Sequence, residues 1–370
     1  MADLIADLIK VTPESLAEQV KAAYDNQSPL QIIGGGSKSF YGRKISAIPL
    51  SVAAYSGVIN YEPSELLITA RAGTPLREIE ELLDAHGQML GFEPPSFSDT
   101  ATLGGTIACG ISGPRRPYAG AVRDFVLGVT MINGKGEILK FGGQVMKNVA
   151  GYDVSRLMTG ALGTLGVVLE ISLKVIPKPA YEETRILPFN HQQMNTLLSD
   201  IGRQPVPVSA SLLHNNLLFI RLSGAKAGVR AASAAIGGDT LQEANSFWEH
   251  LKEQQQPFFH QPRPLWRLSL PPAATATPED LVEEESFIEW GGAQRWVYSR
   301  NDSALQQWAI ENGGHASCFR DTGRDPFTSH RATETVFSPL SPALFTLSKR
   351  IKECFDPGYI LNPNRLYAGL

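Results

Sequence analysis

A run of three glycines at positions 34–36 is the first feature of the sequence that suggests a binding site. The run follows the short apolar stretch 30–33 and precedes Ser37 and Lys38. Because glycine has no Cβ atom, successive backbone N–H groups can approach an anion closely, and hydroxyl and ammonium groups add further donors. A pyrophosphate suits this combination. A flexible surface turn is the alternative for so short a motif taken alone.

A second glycine-rich stretch, residues 100–114, has the same character. The main chain is accessible to a ligand at Gly104, Gly105, Gly110 and Gly113, which have no Cβ atom. Hydroxyl groups are supplied by Thr100, Thr102 and Thr106. Two separate backbone-rich sites in one domain suit a long dinucleotide better than a single phosphate.

A third series, Gly160, Gly163 and Gly166, superficially resembles a nicotinamide-dinucleotide fingerprint. Such a fingerprint must follow a strand and begin a helix. Here the order is reversed, because the pattern predicts a helix from Asp153 before the series and a strand over 167–176 after it. We therefore expect no nicotinamide site in this series.

The composition narrows the class of protein. The 370 residues carry a formal net charge of −4 and are 43% apolar, which describes a soluble globular protein with no electrostatic reason to bind nucleic acid. The three cysteines, at positions 109, 318 and 354, form no Cys-x-x-Cys pair. A zinc site or iron–sulfur cluster held by this chain alone is therefore not expected, and reduced thiols in the cytoplasm fit best.

The elements around the glycine stretches predict an α+β fold and not a regular βαβ array. A helix begins near Thr12 and Pro13, strands are predicted over 30–33 and 66–72, and a helix follows Thr74 and Pro75. A hairpin over 125–141 turns at Asn133 and Gly134, since both residue types tolerate positive φ.

The second half of the chain has a different pattern. Predicted hairpins over 208–222 and 287–298 are each followed by a helix, which indicates a smaller α+β cap built from two ββα units. A last helix begins at Ser341 and Pro342. We therefore divide the chain into a first domain over 1–180, a cap over 181–335 and a C-terminal helix and tail over 336–370 that returns to the first domain.

Several stretches occur together and in a fixed order. They are the glycine loop, the Thr-x-x-Gly-Gly stretch, Lys-Asn-Val-Ala-Gly-Tyr-Asp at 147–153, Gly-Thr-Leu-Gly-Val-Val at 163–168 and the terminal segment 355–363. This order resembles the FAD-dependent oxidases and dehydrogenases of the vanillyl-alcohol-oxidase type, with their two-part PCMH-type FAD-binding domain. The run 113–125 is similar to that of the FAD-binding subunits of glycolate oxidase (glycolate dehydrogenase). The resemblance covers the first domain and the tail and is weaker in the cap.

The resemblance implies a set of FAD-binding positions. It places the pyrophosphate on Gly34, Gly35, Gly36, Ser37 and Lys38, the ribityl and isoalloxazine groups on Pro95, Thr100, Thr102, Gly104, Gly105, Thr106, Ala108 and Gly110, the adenine side on Val167 and Val168, and the flavin edge near Asn362. Some relatives attach FAD covalently through a histidine in the pyrophosphate loop. This loop has no histidine, so non-covalent FAD is expected.

The catalytic residues stay unassigned. Hydroxy-acid-oxidising relatives have a cap motif resembling His-x-Gly-Asp-Gly-Asn-x-His, and the seven histidines of this chain do not form it, so no metal site is expected. His315 is a candidate base or an ordinary strand histidine. Arg115, next to Arg116, is a candidate carboxylate clamp, part of a flavin-site basic pair or a subunit contact. Tyr152 either faces the flavin or caps a helix.

Three functions are compatible with these features. The leading one is a flavoprotein subunit of a multi-subunit complex that oxidises glycolate or another small 2-hydroxy acid, in which a second FAD-binding glycolate oxidase subunit performs the oxidation and an iron–sulfur subunit receives the electrons. The second is a self-sufficient FAD-dependent 2-hydroxy-acid dehydrogenase with a base from His315, His330 or Tyr152. The third is a non-catalytic assembly subunit. The expected location is the cytoplasm, with peripheral attachment to the inner membrane through partners as the alternative.

Overall fold

The computed structural model describes residues 11–143, 153–321 and 336–370. The helices in these ranges are α1 (Pro13–Asp25), α2 (Leu76–Asp84), α3 (Leu103–Cys109), α4 (Arg116–Ala119), α5 (Val122–Phe125), α6 (Val154–Leu157), α7 (His191–Ile201), α8 (Lys226–Ile236), α9 (Ala244–Lys252), α10 (Asp302–Glu311) and α11 (Pro342–Phe355). The strands are β1 (Leu30–Ile33), β2 (Ile48–Ser51), β3 (Val58–Glu62), β4 (Leu67–Arg71), β5 (Gln88–Met89), β6 (Val126–Ile132), β7 (Ile138–Gly142), β8 (Val167–Lys174), β9 (Ile176–Pro177), β10 (Tyr181–Leu187), β11 (Val208–His214), β12 (Leu217–Gly224), β13 (Asp239–Thr240), β14 (Leu265–Ser269), β15 (Phe287–Glu289), β16 (Gln294–Tyr298) and β17 (His315–Arg320).

The N-terminal part contains two main sheets, as a two-part domain requires. Strands β1 and β2 form a parallel pair, and Leu361 of the C-terminal tail bridges to Leu30 on the other side of β1. A five-stranded sheet has the order β3-β4-β8-β6-β7. The helix α1 packs Leu16 and Val20 against the first sheet, so the apolar stripe that predicted this helix is its buried face.

The second part is one eight-stranded sheet with the order β13-β10-β12-β11-β15-β16-β14-β17 and antiparallel pairs throughout the described strands. Its first strand in the chain begins at Tyr181. Phe287, Trp296 and Phe319 on one face share a core with Phe40 and Tyr41 of the N-terminal part. The cap therefore packs its sheet face directly on the first domain.

The α+β class and the two-part architecture agree with the prediction, while two local predictions were incomplete. The hairpins β11–β12 and β15–β16 are each followed by a helix, but they join β10, β13, β14 and β17 in a single sheet instead of forming two separate ββα units. The edge strand β13 has only two residues, which is too short to leave a pattern in the sequence.

The turn between β6 and β7 differs in mechanism from the prediction. The side-chain oxygen of Asn133 accepts hydrogen bonds from the N–H groups of Lys135 and Glu137 at 2.9 and 3.0 Å, and the positive φ of this turn lies at Gly136 (81°). Gly134 is required for another reason, because a Cβ there would lie 2.3 Å from the Asp356 carboxylate. The turn is held by the C-terminal tail as well as by its own residues.

The third glycine series, Gly160, Gly163 and Gly166, lies between a helix and a strand, as predicted from the sequence. The short helix α6 precedes Gly160, Gly163 and Gly166, and β8 begins immediately after them at Val167. The predicted order of elements, with a helix before the glycine series and a strand after it, is therefore the observed order.

Candidate cofactor site

A cleft lies between the glycine loop, helix α3 and the C-terminal tail. It is lined by Gln31, Ile32, Ile33, Gly34, Gly35, Gly36, Ser37, Lys38, Ser39, Ile45, Val52, Thr102, Gly104, Gly105, Ala108, Cys109, Leu162, Gly163, Gly166, Val168, Asn362 and Arg365. Three segments that are distant in the sequence thus form one concave surface.

The glycine loop presents backbone donors to this cleft. No described residue accepts a hydrogen bond from the N–H groups of residues 35–38, although Ser37 and Lys38 are buried. Buried N–H groups need acceptors, and a row of them suits phosphate oxygens. Gly36 has φ +74°, and a Cβ there would meet nothing within 4 Å. Glycine is therefore favoured at this position by the backbone conformation and not by close packing.

Gly35 has the opposite role, because it permits contact between the two glycine-rich stretches. A Cβ on Gly35 would lie 1.4 Å from the Thr100 carbonyl oxygen, and the Thr100 hydroxyl donates to the Gly35 carbonyl at 2.6 Å. The hydroxyl of Thr100 is therefore engaged with the loop and does not line the cleft.

The side chain of Lys38 is buried at the edge of the cleft. Its Nζ donates to the Ser96 carbonyl at 3.3 Å and lies 5.7 Å from the centre of the Phe97 ring. Burial lowers the pKa of Lys38, and the nearby Cys109 and Glu253 oppose that effect. The ammonium group therefore has protein partners of its own on the side of the cleft that faces the cap.

Helix α3 forms the opposite wall. The Thr102 side chain caps the helix by accepting from the Gly105 N–H at 3.3 Å. Gly104 packs so tightly that a Cβ would lie 2.7 Å from the Cβ of Ala72. Together with Ala108, these residues put main-chain atoms at the surface of the cleft.

Some of the predicted positions lie behind the cleft wall. They are Pro95, which is buried, Thr106, whose hydroxyl donates to the Thr102 carbonyl at 3.0 Å, Gly110, which packs on Gly160, and Val167, which is fully buried in β8. Direct contact of these residues with FAD stays a prediction, and their observed role is to support the lining residues.

The C-terminal tail completes the cleft through two polar side chains. Asn362 accepts from the Ile32 N–H at 2.8 Å and donates to the Leu162 carbonyl at 2.6 Å. Arg365 was missed by the sequence analysis. It donates to the carbonyl oxygens of Ser39, Tyr41 and Arg43 at 2.6–2.7 Å and so holds the segment after the glycine loop in place. Its position three residues after Asn362 was the available signal.

Two of the candidate catalytic residues lie within the described ranges, and neither lines the cleft. Arg115 is paired with Glu93 at 3.1 Å and with Glu182 at 2.6 Å, so its guanidinium would have to leave two carboxylates to clamp a substrate. His315 is exposed at the start of β17. Tyr152 and the alternative base His330 lie outside the described residues.

The ionisable residues along the cleft are Lys38, Cys109 and Arg365, with no histidine, aspartate or glutamate among its described lining residues. Burial raises the pKa of the Cys109 thiol, which keeps it protonated. Across the ranges that the structure describes, no group of three or more histidine, cysteine, aspartate or glutamate side chains could hold a metal ion.

Comparison with known proteins identifies the family. Glycolate oxidase subunit GlcE of Escherichia coli (strain K12) is 45% identical over 96% of this chain and 98% of its own length. The chain belongs to the GlcE family of glycolate oxidase subunits. Residues 9–142 match the family model of an FAD binding domain, which confirms the predicted cofactor and the FAD-dependent oxidoreductase class.

Other relatives of this GlcE-family chain include a D-lactate dehydrogenase and a second kind of glycolate oxidase subunit. D-lactate dehydrogenase of Anaerostipes hadrus is 31% identical over 95% of the chain and 87% of its own length. Glycolate oxidase subunit GlcD of Bacillus subtilis (strain 168) is 29% identical over 48% of the chain and 38% of its own length. Among solved structures, alkyldihydroxyacetonephosphate synthase shares the fold, with a TM-score of 0.64 at 15% identity over 95% of this chain and 74% of that one.

The residues of the cleft fit FAD by their chemistry. The N–H groups of the glycine loop that have no acceptor among the described residues suit a pyrophosphate, and the apolar side chains of Val52, Leu162 and Val168 provide walls for aromatic rings. In the described ranges, no helix combines the length and the apolarity needed to cross a bilayer.

Proposed function

We propose that this GlcE-family chain is the FAD-carrying subunit of a complex that oxidises glycolate or a similar short 2-hydroxy acid, and that it transfers electrons within the complex. The names of two relatives, GlcE and GlcD, are those of subunits of glycolate oxidase. In this proposal a GlcD-like subunit removes the hydride and the hydroxyl proton from the substrate, and an iron–sulfur subunit receives the electrons.

The residues of this chain would hold the cofactor without taking part in proton transfer. FAD, when bound, supplies a carrier that accepts two electrons and can release them one at a time. The N–H groups of residues 35–38 would bind the pyrophosphate, while Asn362 and Arg365 keep the surrounding loops in position. Thr102, Gly104 and Gly105 would present backbone atoms to the flavin side.

The observation that supports a relay role most strongly is the chemistry of the cleft lining. Oxidation of a 2-hydroxy acid by hydride transfer needs a base to accept the hydroxyl proton. The described residues along the cleft include no histidine or carboxylate, and the only thiol among them has a raised pKa. A partner subunit that supplies the base is consistent with this lining.

Purification of this chain alone and together with a GlcD-like subunit tests the proposal. We expect the chain alone to show visible flavin absorbance but little oxidation of glycolate or D-lactate with an artificial electron acceptor. Co-expression should give a stable complex with turnover. Robust turnover by the chain alone would contradict the relay role and favour the self-sufficient dehydrogenase, whereas protein without flavin would favour the assembly role.

The proposed iron–sulfur partner requires a separate measurement. A tagged form of this chain should co-purify with a protein that contains iron and acid-labile sulfide when both are expressed together. Recovery of a glycolate-oxidising complex without iron would contradict this part of the proposal and leave the flavoprotein part intact.

A further inference from the structure

One peptide group of the first domain lies between a carboxylate of the cap and the ammonium group of the glycine loop. This peptide joins Ser96 to Phe97. Its N–H group donates to the Glu253 carboxylate at 2.7 Å, and its carbonyl oxygen accepts from Nζ of Lys38 at 3.3 Å. The dipole of the peptide therefore has a negative charge at its N–H end and a positive charge at its carbonyl end, and both charges stabilise this orientation.

The carboxylate of Glu253 binds the first domain through more than this one contact. Its oxygens also accept from the Ser96 N–H at 3.0 and 3.2 Å, so two successive N–H groups converge on one anion. Glu253 directly follows helix α9 of the cap, and only 13% of its side chain is exposed. The cap thus supplies a fixed negative charge to a turn of the first domain.

The backbone of Phe97 has a conformation that this residue does not favour by itself. Its φ is +59°, in the left-handed region that residues with large side chains rarely adopt. Reversal of the 96–97 peptide would return φ to negative values, but it would turn the N–H group away from Glu253 and the carbonyl group away from Lys38. The two charged side chains therefore hold a peptide orientation that the local backbone opposes.

The segment that begins with this peptide holds the glycine loop at two points. Lys38 is bound by the Ser96 carbonyl, and the carbonyl of Gly35 accepts from the Thr100 hydroxyl at 2.6 Å. The N–H groups of residues 35–38, which have no acceptor among the described residues, lie between these two points. Their alignment therefore depends on the position of this segment.

We propose that Glu253 is a positioning residue for FAD. It fixes the 96–97 peptide, and through the bond of that peptide to Lys38 it keeps the glycine loop in the conformation that presents its N–H groups to the pyrophosphate. The inference rests on the proposed pyrophosphate site at residues 34–38. It goes beyond the relay role, because it makes tight retention of the cofactor depend on a side chain of the cap that lies outside the described lining of the cofactor cleft.

The charge of Glu253 also acts on Lys38 through space. Other titratable or charged groups act on this ammonium or line the same cleft. They are Glu80 of helix α2, Cys109 of α3, Lys252 at the end of α9 and Arg365 of the C-terminal tail. Burial lowers the pKa of Lys38, and Cys109, Glu253 and Glu80 oppose that effect. Burial also keeps the Cys109 thiol protonated and raises the pKa of Glu80, so neither group can replace the Glu253 charge, and its removal should lower the pKa of Lys38 further.

Dilution of the FAD-loaded, full-length chain tests the proposal, because the fluorescence of released flavin gives the dissociation constant for FAD. Glu253→Gln keeps the size of the side chain and removes its charge, and it should raise this constant about 10-fold. Lys38→Met should raise it by about 10- to 100-fold. Glu249→Gln is the matched control, because Glu249 also pairs with Lys252, at 2.9 Å, but its side chain is 59% exposed. In this control the constant should change by less than about 2-fold.

Two measurements distinguish positioning through Lys38 from a general loss of structure. In the Lys38→Met background, Glu253→Gln should raise the dissociation constant by less than about 2-fold, because the residue through which it acts is already lost. In the wild-type chain, FAD binding should weaken as the pH rises above neutrality and Lys38 loses its proton, and this weakening should begin at a lower pH in Glu253→Gln. The thermal midpoint reports whether each variant is folded.

The outcomes separate this inference from the proposals on which it rests. Weaker FAD binding by Lys38→Met together with unchanged binding by a folded Glu253→Gln would overturn the positioning role and leave the pyrophosphate site in place. Fully additive effects of the two substitutions, or identical pH profiles of Glu253→Gln and the wild type, would have the same meaning. Unchanged binding by Lys38→Met would overturn both proposals. The relay role is tested separately, by the turnover of the complex.

Discussion

At the scale of single residues, neighbouring glycines in the pyrophosphate loop have different physical roles. Gly35 allows the Thr100 carbonyl to approach, and Gly36 adopts a left-handed backbone conformation in open space. We expect Gly35→Ala to displace the 98–101 stretch, lower stability by about 2–3 kcal/mol and abolish FAD retention. Gly36→Ala should cost about 1–2 kcal/mol through its φ angle alone.

Flavin content after gel filtration and urea denaturation measure both effects. Gly228→Ala is a matched control, because Gly228 lies in helix α8 and a Cβ added there would meet nothing within 4 Å. This substitution should raise stability by up to about 1 kcal/mol and leave the flavin content unchanged. Full flavin retention by Gly35→Ala would show that the contact with Thr100 does not shape the cleft.

Glu289 is a buried carboxyl group of the cap whose protonation affects stability. Burial raises its pKa from 4.5 to about 7, against the opposing hydrogen bonds from Trp296 and Gln294. Because the folded state holds the proton more tightly than the unfolded state, its stabilising effect is present below pH 4.5 and is lost as the pH rises toward 7. The linked loss is about 3 kcal/mol.

The variant Glu289→Gln removes this ionisation. Above neutral pH it should be more stable than the wild-type chain, and its urea midpoint should fall less between mildly acidic and mildly alkaline buffer. Glu285→Gln, at an exposed position of the same segment, should follow the wild-type profile. Identical pH profiles for Glu289→Gln and the wild type would refute the assignment.

Residues that line the cofactor cleft with main-chain atoms were easier to predict from the sequence than residues that hold the cleft together with their side chains. Glycine runs such as 34–36 are visible because few other roles require them. Arg365 was missed because its spacing of three residues from Asn362 is a weak signal, and only the folded tail brings it to the carbonyl groups of Ser39, Tyr41 and Arg43.

At the scale of elements, helix α11 and the tail depend on one buried ion pair. The Nζ of Lys352 donates to the Asp356 carboxylate at 2.7 Å and to the carbonyl oxygens of Thr164 and Leu361 at 2.7 and 2.9 Å. Asp356 also accepts from the Ile360 and Leu361 N–H groups. This arrangement fixes the tail where it lines the cofactor cleft.

The variant Lys352→Met should leave the Asp356 charge buried and unpaired, at a cost of about 3–5 kcal/mol. We expect a lower thermal midpoint, earlier proteolysis after residue 355 and weaker FAD retention. Lys349→Met removes an exposed charge from the same helix and should change stability by less than about 0.5 kcal/mol. Equal behaviour of the two variants would contradict the role of Lys352.

Element prediction succeeded where a local pattern was strong. The apolar stripe of α1 reflects burial of one face of the helix, and Asn133 and Gly134 mark the turn between β6 and β7, so the local sequence records both features. The order of the eight cap strands was not predictable, because pairs such as β11 with β15 join segments about 75 residues apart through backbone groups.

At the scale of the whole molecule, a buried ionic network joins the cap to the first domain. Arg115 and Glu93 of the first domain meet Glu182 and Arg221 of the cap, and Arg221 lies 2.9 Å from Glu93. Burial opposes ionisation of Glu93, but the charges of Arg221 and Arg115 outweigh it and lower its pKa. The network is therefore charged at neutral pH and weakens as the pH falls through that lowered pKa.

The variant Arg115→Gln should destabilise the protein by about 3 kcal/mol and increase cleavage in the connection near residue 179. Its neighbour is a stringent control. Arg116 stacks on Trp290 at 4.5 Å and is half-buried, so Arg116→Gln should cost only about 0.5–1 kcal/mol. Thermal midpoints and limited proteinase K digestion measure both, and a larger effect for Arg116→Gln would contradict this ranking.

The first strand of the cofactor cleft has a consequence for biosynthesis. Leu30 and Ile32 form hydrogen bonds with Ile360 and Asn362, and the bond between Ile32 and Asn362 spans 330 residues. At about 5–20 residues per second, the ribosome needs tens of seconds to make the second partner after the first. During that interval strand β1 of the nascent chain lacks its pairing with the C-terminal tail. Stable loading with FAD therefore follows synthesis of the C-terminal tail, and chaperones that bind extended apolar segments have time to act before it.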